Sequence, residues 1–345
     1  MNYRPFGSTG LFVSELCLGS MTFGGKGFWK VVGTLSANEV ERLVGASFDA
    51  GVNFIDTADV YSEGESERLV GGALAALSRP RDRVIVATKV RGRTGLGPNQ
   101  IGLSRKHILA AINESLMRLN LDFVDLYQIH GIDYETPIEE TLGALDDVVK
   151  SGKARYAGFC NLPAWYAMKA LACSDSRGLV RFATAQVYYS IAGRDIEREL
   201  VPLARDQRLA ILPWSPLAGG LLSGKFDMEN PGPANARRTS YDFPPVDKIR
   251  AKAVIGVMAE IGRTRGISVA RVALAWLLSR PFVTSVIIGA KTPDQLADNL
   301  AAADTELSAE EMARLDAVSA LPPEYPGWML AWQDRDRRPQ PHGQQ

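Results

Sequence analysis

Only three cysteines, Cys17, Cys160 and Cys173, occur in 345 residues, and no CxxC spacing joins any of them. An odd number so placed argues against a disulfide framework and against a zinc knuckle, and favours a reducing, cytoplasmic setting. Histidine is equally sparse. Three histidines, with no HxxEH pattern and no paired-histidine strand, give a metal-dependent hydrolase little to ligate with. An excess of either charge is missing too, since 39 basic residues balance 39 acidic ones. Nothing in that balance suggests nucleic acid or a membrane surface as a partner. Long apolar runs are also absent. "LFVSELCLGSM" is broken by Glu15 and follows no basic region, and the run near 267–290 is interrupted by Arg271 and Arg280. Neither a signal peptide nor a transmembrane helix is expected. The sequon at Asn113 falls inside a helical pattern and reads as incidental.

What is present is a regular alternation. Segments rich in β-branched residues ("SELCLGS", "VNFIDT", "RVIVATKV", "DFVDLYQIH", "ARYAGFC", "FATAQVYY", "LAILPWS", "TSVIIGA") alternate with segments of helical period. The helices carry start and stop signals. Ser36 and Glu39 form a capping box before a helix that stops at Gly51, while Thr136 is expected as N-cap of a helix with Pro137 in its first turn and Gly152 after its end. Eight strand-helix units imply parallel strands with crossover helices, and favour a closed (β/α)8 TIM barrel over an open doubly wound sheet. A length of 345 residues in one domain suits a barrel. The expected limits are a hairpin over 3–13 closing the bottom, a barrel over about 14–305, and a C-terminal helix and tail over 306–345. Residues 218–245 read as a long loop, and the chain from Leu321, with five prolines, as irregular.

In such a barrel the strand C-termini converge on one face, where chemistry is found. The polar groups at those ends are Asp56, Lys89, His130, Asn161, Gln186 and the pair Trp214 and Ser215. Taken singly, Asp56 would cap a turn, His130 would be a hydrogen-bonded core histidine and Trp214 a core aromatic. Their recurrence at successive strand ends favours a shared site.

The segments "GVNFIDTADVYSEGESERLVG", "VIVATKV", "VDLYQIHGID", "QVYYS", "PWSPLAGGLLSGK" and "GAKTPDQLADN" resemble the aldo-keto reductase superfamily, in its order and over residues 3–320. The resemblance is nearest to longer bacterial members related to potassium-channel β-subunits. It implies a catalytic tetrad of Asp56, Tyr61, Lys89 and His130. A carbonyl that receives a hydride develops alkoxide charge, which a nearby neutral O–H can stabilise and protonate. Tyr61 suits that role, Lys89 is expected to lower its pKa, Asp56 to hold Lys89, and His130 to orient the carbonyl.

The resemblance further implies an NADP(H) cofactor bound without a Rossmann fingerprint. Asn161 and Gln186 would meet its carboxamide, Trp214 would stack on the nicotinamide, and Ser215, Leu217, Gly219, Lys225 and Gly289 would line the dinucleotide. Lys291 and Gln295 would meet the 2′-phosphate, and Asn299 the adenine. "GGLLSGKF" comes within one residue of a P-loop, but Phe226 stands where Ser or Thr should ligate magnesium. Cys160 replaces a serine frequent in the family. Phe28 and Trp29 are candidate walls of the substrate pocket, with the aromatic tail as a further contributor. The expected activity is reduction of a small-molecule aldehyde or ketone, bulky or cyclic. The alternative is an NADP-binding regulatory subunit resembling the channel β-subunits. Nothing in the residues fixes the oligomeric state.

Overall fold

The computed structural model describes residues 1–226 and 237–337. Part of the long loop expected after the seventh barrel strand, and the end of the tail, lie outside the described residues. Strands β1 (Tyr3–Pro5) and β2 (Phe12–Ser14) pair antiparallel. The barrel strands are β3 (Leu16–Gly19), β4 (Phe54–Asp56), β5 (Ile85–Val90), β6 (Val124–Ile129), β7 (Ala154–Cys160), β8 (Phe182–Tyr188), β9 (Ala210–Trp214) and β10 (Val286–Ile288). They run parallel in the order β10-β3-β4-β5-β6-β7-β8-β9. Closure comes just before β10, where Ile211 bridges Val283 and the Thr284 amide donates to the Ile211 carbonyl at 2.9 Å. The result is a nearly closed (β/α)8 barrel.

Strand alternation divides each strand between two cores. Residues facing the helices join the large outer core, among them Ile55, Val86, Tyr127 and Ile211. Residues facing the lumen form a smaller apolar cluster that includes Phe54, Ala87, Leu126 and Leu212. Two residues further along the same faces stand Asp56, Lys89, Gln128 and Trp214. The lumen is therefore apolar low down and polar at its upper rim, and the polar layer is the site.

The hairpin closes the other end. Phe6 is fully buried and packs edge-on against Phe54, with ring centroids 5.6 Å apart. Gly7, at φ +63°, lies so close that an added Cβ would stand 2.6 Å from the Ala183 carbonyl and 2.9 Å from that of Arg208. These atoms belong to the start of β8 and to the residues just before β9, so the hairpin covers the bottom, opposite the polar rim.

Two local expectations are corrected. The helix Ile138–Lys150 takes Pro137 as its N-cap, and the Thr136 hydroxyl donates instead to Asp133 at 2.8 Å. The chain after Leu321 is not irregular throughout, because Gly327–Arg337 is helical. Elsewhere the local signals match. Glu39 accepts from the Ser36 amide at 2.8 Å, and Gly51 ends that helix at φ +89°. Among the described residues no helix is long and apolar enough to cross a membrane.

Candidate active site

Register brings the strand ends together. Asp56 pairs with Ala87 on β5, Lys89 with Gln128 on β6, Cys160 with Gln186 on β8, and Tyr188 with Trp214 on β9. Lys89 is completely buried and Asp56 is 2% exposed. The Lys89 ammonium donates to Asp56 Oδ2, to the Thr57 carbonyl at 2.9 Å and to Tyr61 Oη at 3.3 Å. All three of its protons are thus accounted for. The other carboxylate oxygen, Asp56 Oδ1, accepts from Gln186 Nε2 at 2.8 Å and from Gln128 Nε2 at 3.2 Å. An ion pair this deep survives because its remaining valences are satisfied.

Tyr61 arrives on a turn rather than a strand. After it, Ser62 (φ 50°), Glu63 (φ 57°) and Gly64 (φ 82°) are all left-handed. For Ser62 and Glu63 that conformation costs about 1–2 kcal/mol each. Ser62 is fully buried, and its hydroxyl donates to the Phe23 carbonyl at 2.8 Å, which fixes the turn against the loop after β3. The phenol ring lies edge-on to His130 at 5.7 Å and to Trp29 at 5.0 Å.

The electrostatics add burial to the expected effect of Lys89. Lys89 draws the phenol pKa down, but burial outweighs it, and Tyr61 is pushed up to about 12. For Lys89 burial opposes the charge, yet Asp56 and Tyr61 more than compensate, so its pKa rises and it stays an ammonium. His130 is brought down to about 3 by burial and by the charges of Lys89 and Arg91. At neutral pH the site therefore presents a neutral phenol and a neutral imidazole beside one fixed cation.

The remaining candidates divide. Asn161, at φ 54°, accepts from Trp214 Nε1 at 2.8 Å, and its own amide reaches the His130 carbonyl at 3.5 Å. Gln186 is committed to Asp56. Ser215 Oγ accepts from the Gly219 amide at 2.9 Å, and the Leu217 carbonyl accepts from the amides of Gly220 and Leu222. Gln295 Oε1 accepts from the Lys291 amide at 2.9 Å, and Asn299 donates to the Gly289 carbonyl at 3.2 Å. Thr292 caps the helix Pro293–Leu300. Phe28 packs on Trp29 at 5.8 Å and on Tyr241 at 5.2 Å. Tyr325 and Trp328 pack on each other, and among the described residues no ring contact joins the tail to Trp29.

Several neighbours escaped the sequence reading. Gln128 lies two residues before His130 on one strand face, so alternation contained its signal. Phe243 stacks on Trp214 at 5.8 Å and Tyr241 stacks on Phe243 at 5.4 Å, both from the loop after β9. Arg237 comes from the same loop. Its Nε is buried and, among the described residues, has no hydrogen-bond partner, and burial followed by the charges of Arg237 and Lys225 pushes the Lys291 pKa down. Three neighbouring cations, one of them with an orphaned buried donor, suit a phosphate-bearing ligand.

Comparison with known proteins gives the family. Residues 15–320 match the family model of the Aldo/keto reductase family. The chain is 36% identical to an uncharacterized oxidoreductase, YrpG, of Bacillus subtilis (strain 168), covering 92% of this chain and 96% of that protein. It is 35% identical to the versiconal hemiacetal acetate reductase of Aspergillus parasiticus, with the same shares covered. A probable voltage-gated potassium channel subunit beta of Oryza sativa subsp. japonica is 36% identical, again over 92% and 96% of the two chains. The chain belongs to the aldo/keto reductase family. Members of that family generally use nicotinamide cofactors, and its membership supports an oxidoreductase.

Proposed function

We propose that this protein is an NADPH-dependent carbonyl reductase in which Tyr61 donates the proton. The observation that carries the reading is a buried phenol, neutral at physiological pH, whose oxygen lies 3.3 Å from an ammonium held by Asp56. A bound nicotinamide dinucleotide supplies the hydride. Asn161 and Trp214 would hold its nicotinamide end, with Gln186 beside them. Lys225, Arg237 and Lys291 would hold its phosphates, with Gln295 and Asn299 beside the adenosine. Lys291 and the capped N-terminus of helix Pro293–Leu300 favour the 2′-phosphate, hence NADPH over NADH.

The chain's own residues then have defined tasks. Tyr61 Oη and the His130 N–H converge on the carbonyl oxygen and polarise it by hydrogen bonding. As negative charge grows on that oxygen, Tyr61 transfers its proton, and the nascent phenolate is stabilised by Lys89. Asp56 holds the ammonium in place, and the two glutamines hold Asp56. Trp29 and Phe28 form one wall of the pocket and Tyr241 meets them from the loop after β9, which suits a bulky or flat carbonyl compound. The test is NADPH oxidation by the purified protein against a panel of aromatic aldehydes and cyclic ketones.

The similarity to channel β subunits favours one second reading, a cofactor-binding subunit whose role is association. Tight NADPH binding without turnover of any carbonyl in that panel would select it.

A further inference from the structure

Alternation along β5 sends the Thr88 side chain away from the lumen that Lys89 enters. There its hydroxyl donates to Glu67 Oε1 at 2.6 Å, and Arg118 Nε donates to Glu67 Oε2 at 2.6 Å. Thr88 and Glu67 are both fully buried. Arg118 comes from helix Arg105–Leu119 and passes directly beneath the turn that carries the phenol. A Cβ added at Gly64 would stand 2.7 Å from Arg118 Cδ and 3.0 Å from its Nε. Gly64 is the third of the left-handed residues after Tyr61. Asp59, 2% exposed, is buried near the same pair, and burial together with Glu67 pushes its carboxyl well above the usual range.

We propose that Arg118, acting through Glu67 and Thr88, is a positioning residue that locks the Tyr61 turn to the strand carrying Lys89. Donor and cation reside on different pieces of chain, and inside the lumen they meet through a hydrogen bond of 3.3 Å. That bond is already long, so a slip of a few tenths of an ångström breaks it. The turn is strained, and strain persists only where the surroundings over-determine it. Ser62 pins one side of the turn to the Phe23 carbonyl, and the Thr88–Glu67–Arg118 chain pins the other to β5 from outside the barrel wall. Arg118 touches neither substrate nor cofactor in this arrangement, and its effect is transmitted through geometry.

The kinetic arm of the test rests on the carbonyl-reductase reading, so a second readout is independent of turnover. Arg118→Met leaves Glu67 buried without its cation and can fail to fold. The double variant Glu67→Gln/Arg118→Met removes that charge as well. With NADPH and 4-nitrobenzaldehyde, kcat is expected to fall about tenfold in either variant, while aldehyde KM and NADPH Kd stay within about twofold. Arg118→Lys, which keeps the charge but not the fork, should regain part of the loss. With 3-fluorotyrosine incorporated, the Tyr61 fluorine resonance, assigned with Tyr61→Phe, should shift or broaden in the double variant. A merely structural role lowers Tm, leaves kcat per folded molecule intact and leaves the resonance unmoved, which would overturn the proposal. Should the wild-type protein reduce no carbonyl, the reductase reading fails by itself and the resonance alone decides the brace.

Discussion

Replacing Tyr61 by phenylalanine removes one oxygen from a ring whose packing against Trp29 and His130 does not depend on it. Stability should change little. Lys89 loses its longest hydrogen bond, at 3.3 Å, but keeps Asp56 and the Thr57 carbonyl at 2.9 Å. A cost of about 1 kcal/mol follows, or roughly 2 °C in Tm for a domain of this size. Turnover should change far more, because a positioned general acid is worth about 10² or more in rate, near 3 kcal/mol of barrier. NADPH affinity should be preserved, since the phenol is not among the groups expected to hold it. The assay is single-turnover hydride transfer by the folded variant, with Tm and NADPH affinity measured alongside. The pH profile of the wild type adds a second check. With the phenol at about 12 and the imidazole at about 3, neither group titrates near neutrality, so kcat should be flat from about pH 5 to about pH 10. A folded Tyr61→Phe protein reducing aldehydes at nearly the wild-type rate, or a Tyr61-dependent limb near pH 7, would refute the assignment.

Lys89→Met should slow reduction strongly and cost about 3–5 kcal/mol of stability, because Asp56 stays buried without its cation; adding Asp56→Asn should restore most of the melting temperature and none of the turnover. Lys291→Ala and Gln295→Ala should weaken NADPH far more than NADH by calorimetry, and equal losses would show that this segment does not read the 2′-phosphate. His130 has a folded pKa below its unfolded value, so the unfolded chain takes up its proton first, and stability should fall as pH drops from about 6.5 toward about 3. In His130→Asn, thermal unfolding across that window should lose this component of the acid sensitivity.

The barrel was legible because its determinants are local and repeated. Eight apolar strands, each closed by a turn or a helix signal, leave few ways to bury their faces, and the C-terminal rim then gathers whatever polar residues end them. Asp56, Lys89, Gln186 and Trp214 needed nothing beyond that rule to be brought together. Gln128 obeys it as well, standing one residue before the end of β6 as Lys89 does before the end of β5. Tyr241, Phe243 and Arg237 obey no period, since their positions depend on how a glycine- and proline-rich loop folds back over the rim. In the tail, Trp328 and Trp332 stand at helical spacing, but a cluster of prolines outweighed that signal in the reading. Thr136 shows the same competition on a smaller scale, because a nearby Asp133 claimed the hydroxyl before the helix amides could.

The phenol of Tyr61 shows where a sequence names the partners without fixing the outcome. Lys89 could be identified as the cation beside Tyr61 from strand ends and resemblance, and a cation lowers a phenol's pKa. How far water is excluded from the same oxygen depends on the left-handed turn, on Trp29 and on the lumen together, and that desolvation acts in the opposite direction. Burial dominates, and Tyr61 stands at about 12. The chemistry is better served by this than by an acidic phenol. A donor that is neutral at every physiological pH is always loaded, and an alkoxide remains more basic than a phenolate even at that value. Lys89 then acts chiefly after the proton has left, stabilising the phenolate in a place where water cannot, which is the form of electrostatic help that favours the transition state over the ground state.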